Sequence, residues 1–215
     1  MPIGTLAAGV MASAALVVLV LGWSWPLGSI GHELFAVHML QHLLAMNVAA
    51  PLLALAAGPS GRGAPWELAV MTASQLAGLW LWHMPLSFAA THDSPALDAL
   101  MKGSMFGLAW LFWRAVLAHR ARPIWPALLA LLITAKGFCL LGAALIFARH
   151  PLYPTVGNPQ KWGLTPLDDQ QLAGLFMVST CALIYVSAAT ALFAAWLFAT
   201  GSRRNGVRHA GIAAG

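Results

Sequence analysis

Apolar residues run along this chain in long blocks, without the strict alternation of a half-buried strand, and the blocks are broken by Gly, Pro and charged residues. Such blocks predict membrane-spanning helices, because about 20 mostly apolar residues in a helix cross a hydrocarbon layer of roughly 30 Å. Six spans are expected, over residues 4–23, 33–57, 66–83, 95–118, 124–147 and 169–200. The punctuation agrees with them. Gly58-Pro59-Ser60-Gly61 closes the second span, Pro85 follows the third, and Ser94-Pro95 offers a cap and a first-turn proline to the fourth. Pro51 predicts a kink inside the second span, which neighbouring helices would have to satisfy. No internal repeat or low-complexity segment interrupts the pattern. The expected fold class is all-α: a polytopic membrane bundle forming one domain over residues 1–200, followed by a short basic tail at 201–215.

Composition narrows the class further. With 60% hydrophobic and only 8% charged residues, and a mean hydropathy of +0.77, the chain lacks the charge a soluble domain needs to cover itself. The net charge of +5 does not form a nucleic-acid patch, because the basic residues sort by membrane side. Arg62, Arg114, Arg120, Arg122, Arg203, Arg204 and Arg208 fall at one end of the expected spans. Glu33, Asp93, Asp98, Asp168 and Asp169 fall at the other, with Lys102, Arg149 and Lys161. The positive-inside rule then places both termini in the cytoplasm. The apolar run over 3–21 is longer than a signal-peptide core and is expected to be a retained span. Cys139 and Cys181 have no CxxC spacing, so neither a disulfide framework nor a zinc site is indicated.

Within that frame the histidines stand out. His38 and His42 occur four residues apart in His38-Met39-Leu40-Gln41-His42, which stacks both rings on one helix face with Met46 one turn further in. The expected topology puts His32, His38, His42, His83, His92 and His150 in the outer half, and His119 and His209 at the cytoplasmic side. His83 ends the third span on the outer side, where it could converge with the pair. Softer donors lie nearby in sequence or depth: Met39, Met84, Met101, Met105, Met177 and Cys181.

Imidazole suits copper or zinc and thioether favours Cu(I), so the candidate metal ligands are His38, His42, His83, Met46 and Asp169. Haem held by imidazoles from facing helices is the alternative, and a third use of the same rings is hydrogen bonding between helices with no metal at all. Asp169, at the outer start of the last span, suits a helix N-terminus electrostatically as well as a metal. Lys136 falls in the middle of the fifth span with no acid on its own helix and is expected to meet a partner inside the bundle. A phosphate-binding glycine loop, a GxSxG elbow and HExxH are all missing from the sequence, so no enzyme is indicated.

Five motifs in order carry a family resemblance: Glu33-Leu34-Phe35-Ala36-Val37-His38-Met39-Leu40-Gln41-His42-Leu43-Leu44, Ala49-Ala50-Pro51-Leu52-Leu53, Trp82-His83-Met84-Pro85, Leu152-Tyr153-Pro154 and Asp169-Gln170-Gln171-Leu172-Ala173-Gly174. With this span pattern the chain resembles the CtaG-type assembly proteins of caa3-type cytochrome c oxidases. The resemblance implies a membrane factor that matures a haem-copper oxidase, with a part in copper delivery, and oxidase subunits or other assembly factors as partners in the bilayer. It maps the family's motif histidines onto His38, His42 and His83, and the acidic-glutamine start of the last span onto Asp169 and Gln170. Two departures go with it. Lys102 stands where the family often has a histidine, and Ser179-Thr180-Cys181 replaces a proline–glycine break, which implies a straighter last helix or a local substitute donor.

Overall fold

The computed structural model describes residues 4–59, 63–119, 123–153 and 157–213, with side chains described to Thr200. The described residues form helices and their connections, with no strand among them. The elements are α1 (Thr5–Trp23), α2 (Leu27–Glu33), α3 (Phe35–Leu44), a π turn over Ala45–Ala49, α4 (Ala50–Ala57), α5 (Pro65–Trp82), α6 (Pro85–Asp93), α7 (Pro95–Ala118), α8 (Trp125–Phe147) and α9 (Pro166–Ala213). Ser60, Gly61, Arg62, Arg120, Arg122 and Pro154 lie outside the described residues, as do the side chains of Arg203, Arg204, Arg208 and His209.

Four helical runs are long and apolar enough to cross a membrane: Thr5–Trp23, Phe35–Ala57, Trp125–Phe147 and Pro166–Thr200. The other two expected spans form as helices, α5 and α7, but are more polar. Glu67 and Gln75 in the first, and Asp98, Lys102 and Arg114 in the second, dilute their apolar content. These groups have local uses. Gln75 is buried in the bundle, Lys102 pairs with Asp98 at 2.6 Å one turn back, and the Arg114 Nε–H donates to the Gly58 carbonyl at 3.1 Å.

Pro51 does not break its helix. Proline has no amide hydrogen and its ring crowds the carbonyl four residues back, and here the strain is absorbed one turn earlier. Over Ala45–Ala49 the helix widens into a π turn, with the Ala50 amide bonded to the Ala45 carbonyl. The run from Phe35 to Ala57 is thereby continuous, and it becomes the centre of the bundle. It packs against α1, α7 and α9; α7 packs on α5, α5 on α8, and α8 on α9, so five helical rods close a circuit. Helix α1 lies outside that circuit, with only Ala15 and Gly22 buried.

The tightest seam is between α8 and α9. A Cβ on Gly174 would lie 2.6 Å from the Gly142 carbonyl, and one on Gly142 2.9 Å from the Gly174 carbonyl, so both positions need the hydrogen-only side chain. Helix α9 runs unbroken through Ser179-Thr180-Cys181, as the lost proline–glycine pair implied.

At the end of the bundle that carries the histidines, polar contacts bind the connections together. Thr165 and Asp168 form a reciprocal cap on α9: the Thr165 amide and hydroxyl donate to the Asp168 carboxylate at 3.0 and 2.6 Å, and the Asp168 amide donates to the Thr165 hydroxyl at 3.1 Å. Lys161 and Trp162 donate to the Glu33 carboxylate at 2.7 and 2.9 Å. The Asn158 amide bonds the Glu33 carbonyl at 2.9 Å.

Candidate functional site

His38 and His42 project inward from α3, and both are almost fully buried. Their spacing of one helical turn brings the two Nε2 atoms to 2.9 Å, so one ring donates to the other. The edge of the Phe88 ring covers His38 with centroids 5.0 Å apart, and Phe88 also packs on Phe35 and Tyr153. An aromatic layer therefore separates this pair from the end of the bundle.

His83 caps the C-terminus of α5 and reaches the same interior from the opposite side of the circuit. Its Nδ1 lies 2.6 Å from the Leu79 carbonyl. A carbonyl only accepts, so Nδ1 carries the proton, and in the neutral ring Nε2 presents a bare lone pair. What faces that lone pair at 3.0 Å is the thioether sulfur of Met39, a second electron-pair donor with no hydrogen to offer. The Tyr153 hydroxyl donates to the His83 carbonyl and fixes the end of α5.

The His42 and His83 ring centres are 6.4 Å apart. Between them lies a cavity of about 10 Å³, lined by His42, His83, Met39, Met46, Met105 and Met177 and closed by aliphatic and aromatic carbons. Its donors come from α3, the π turn, α5, α7 and α9. Three of the residues expected from sequence thus meet at one point, His42, His83 and Met46, and three further thioethers join them. His38 stands one hydrogen bond behind. Met84 is 54% exposed and belongs elsewhere, and Met101 is buried outside the cavity lining.

Asp169 is used differently. Its two carboxylate oxygens accept the amides of Phe35 and Ala36 at 2.7 and 2.9 Å, capping the first turn of α3 from across the bundle. Gln170 accepts from the Leu152 amide at 2.6 Å and donates to the Leu145 carbonyl at 3.1 Å, strapping the α8–α9 connection. Lys102 is engaged by Asp98, as described. Lys136 is a correction to the sequence reading: its side chain is on the outside of α8, beside Ile133 and Leu140, and meets no acid within the bundle among the described residues.

One layer below the cavity, Gln75 donates to the Tyr185 hydroxyl at 3.1 Å and Tyr185 donates to the Asn47 side-chain carbonyl at 3.0 Å. Trp113 stacks on Tyr185, and its indole donates to the Met46 carbonyl at 3.1 Å. This chain anchors the π turn that carries Met46. It was not legible beforehand, because nothing local in the sequence pairs residues separated by 110 and 138 positions.

Among the described residues no three His, Cys, Asp or Glu side chains come together in a way that could hold a metal ion. A ligand set here has to draw on methionine. A family model described as cytochrome c oxidase caa3 assembly factor matches residues 7–198. Neither the curated proteins nor the solved structures compared with the chain give a match.

Proposed function

The chain belongs to the cytochrome c oxidase caa3 assembly factor family, and from that premise we propose that it holds and passes Cu(I) during maturation of a haem-copper oxidase. The ligands in this reading are the imidazoles of His42 and His83, with thioethers drawn from Met39 and Met46. His38 orients His42. Asp169 takes no part in binding and holds α3 in place.

The observation that carries the reading is the bare Nε2 lone pair of His83 facing the Met39 sulfur at 3.0 Å. Two electron-pair donors this close in a dry core repel unless a cation beside them binds both, and imidazole with thioether is a set that favours Cu(I) over hard ions. The Nδ1–H bond to Leu79 is also the usual way a metal-bound imidazole is held. A metal–nitrogen bond of about 2.0 Å puts a ring centre roughly 3.2 Å from its ion. The 6.4 Å separation of His42 and His83 is near twice that, within reach of one ion between them. A space of about 10 Å³ suits a single ion and leaves no room for a porphyrin plane.

In this reading α5 and α7 also cross the bilayer, giving six spans. The histidine end faces outward, and the end where Arg114 meets Gly58 faces the cytoplasm. A non-catalytic role fits: the chain would bind an ion and release it by ligand exchange to an oxidase subunit. The test is Cu(I) content of the purified full-length protein under reducing conditions, for wild type and for His42→Ala and His83→Ala. About one ion per chain in wild type and loss in both variants is expected. Equal, negligible copper in all three would overturn the proposal.

A further inference from the structure

Helices α5 and α8 leave a groove of about 640 Å³ on the outer face of the bundle, lined on one side by Ala69, Ala73 and Leu76 and on the other by Trp125, Leu129 and Ile133. Leu129 and Ile133 continue along the same stripe of α8 to Lys136 and Leu140, at spacings of four, three and four residues, and all are exposed. Lys136 does not line the groove itself; it follows Ile133 by one turn on the same exposed stripe, just beyond the groove's mid-membrane end.

Its depth makes this unusual. Lys136 is the twelfth of 23 residues in α8, an apolar helix long enough to span a membrane, so about 16 Å of helix separate it from either end. A four-carbon stem falls well short of that distance, so the ammonium group cannot reach the interface by stretching along the helix. Charged groups at such depth pair with one another or face water-filled space. Both salt bridges among the described residues lie elsewhere, Lys102 with Asp98 and Lys161 with Glu33.

A second copy of the chain cannot supply the missing charge at this depth. Its six acids are Glu33, Glu67, Asp93, Asp98, Asp168 and Asp169, and each sits in the first or last turn of a helix. We infer that the α5–α8 groove docks a transmembrane helix of a different protein, one carrying an Asp or Glu at mid-membrane depth that pairs with Lys136. The apolar walls and the small Ala69 and Ala73 let such a helix approach closely, and the ion pair fixes its register. This surface is separate from the histidine cavity and does not depend on copper.

The experiment uses the full-length protein, donor-labelled, in phosphatidylcholine vesicles with acceptor-labelled synthetic transmembrane helices of leucine and alanine. The helices differ only at their midpoint, Glu, Gln, Leu or Lys. Energy transfer is expected to report about tenfold stronger association of the Glu helix than of the Leu helix, on the scale of interhelical polar contacts. Lys136→Leu abolishes the difference, and Lys136→Glu transfers the preference to the Lys helix. Circular dichroism and copper content stay at wild-type levels in both variants, which separates this outcome from any failure of the metal site. Equal association of the Glu and Leu helices with wild type, or a preference that survives Lys136→Leu, overturns the inference. So does energy transfer between two labelled copies of the protein that is lost in Lys136→Leu, since a second copy would then be the occupant.

Discussion

Asp169→Ala is expected to loosen the bundle without emptying the metal site. The first amides of a helix have no partner within it, and those of Phe35 and Ala36 are supplied by the two Asp169 oxygens at 2.7 and 2.9 Å. Asp169 is 2% exposed and both recipients are buried, so water does not replace the lost carboxylate. Leaving a buried amide unsatisfied costs about 1–3 kcal/mol, and bonds to a charged acceptor lie toward the upper part of that scale. Two amides give a loss of about 3 kcal/mol after some relaxation of the first turn. Asp169→Asn keeps one acceptor oxygen and places an NH₂ against the second amide, so about half of that loss is expected. The assay is unfolding in mixed micelles titrated with a denaturing detergent and followed by helical circular dichroism. Copper content is measured on the same samples. An Asp169→Ala protein unfolding within about 0.5 kcal/mol of wild type would refute the capping argument, and copper loss in Asp169→Asn would return the carboxylate to the metal site.

Gly174→Val should separate α8 from α9, because a Cβ there would lie 2.6 Å from the Gly142 carbonyl; a loss of over 2 kcal/mol in the same unfolding assay is expected, and an unchanged midpoint would contradict the seam. Gly157→Ala meets two obstacles, a φ of +72° and a Cβ that would clash with the Glu33 carbonyl, and should cost about 1–2 kcal/mol with faster proteolysis of the loop around residues 157–164. Glu33 supplies a pH test. Its carboxyl is held below the ordinary value of 4.5, chiefly by the Lys161 hydrogen bond and then by that of Trp162, so its contribution is full above that pH and is lost as pH falls through the depressed value. Hydrogen-exchange protection factors in this loop should therefore fall in acid in wild type and already be low at neutral pH in Glu33→Gln; pH-independent protection in wild type would contradict the linkage.

Much of the architecture was legible because hydropathy and punctuation act locally. Ser94-Pro95 starts α7, with the serine hydroxyl accepting the Leu97 amide, and Gly58 ends α4 at a φ of +76°. The short α2 and α6 were missed, since they lie between spans and lack a long apolar run. Pro51 was expected to kink its helix; the π turn one turn before it was not foreseen, because the Met46 carbonyl there is taken by the Trp113 indole of another helix. For the site, helical spacing gave the His38–His42 pair, and residue type gave the set of thioether candidates. Which methionines converge was not readable, because burial alone treats Met101 and Met105 alike. Asp169 was ambiguous for the same reason: a carboxylate opening α9 reads identically whether it faces an ion or the first turn of α3. The expectation for Lys136 failed because helical position alone does not tell whether a mid-span charge faces into the bundle or out of it, and packing puts this one outside.

Copper K-edge absorption on the Cu(I)-loaded protein tests the central claim most directly. A shell of nitrogen scatterers near 2.0 Å together with sulfur near 2.3 Å is expected. The sulfur signal should diminish in Met39→Leu and the nitrogen signal in His83→Ala. A spectrum containing only nitrogen and oxygen scatterers, or one unchanged by either substitution, would contradict a mixed imidazole–thioether site in the core of the bundle.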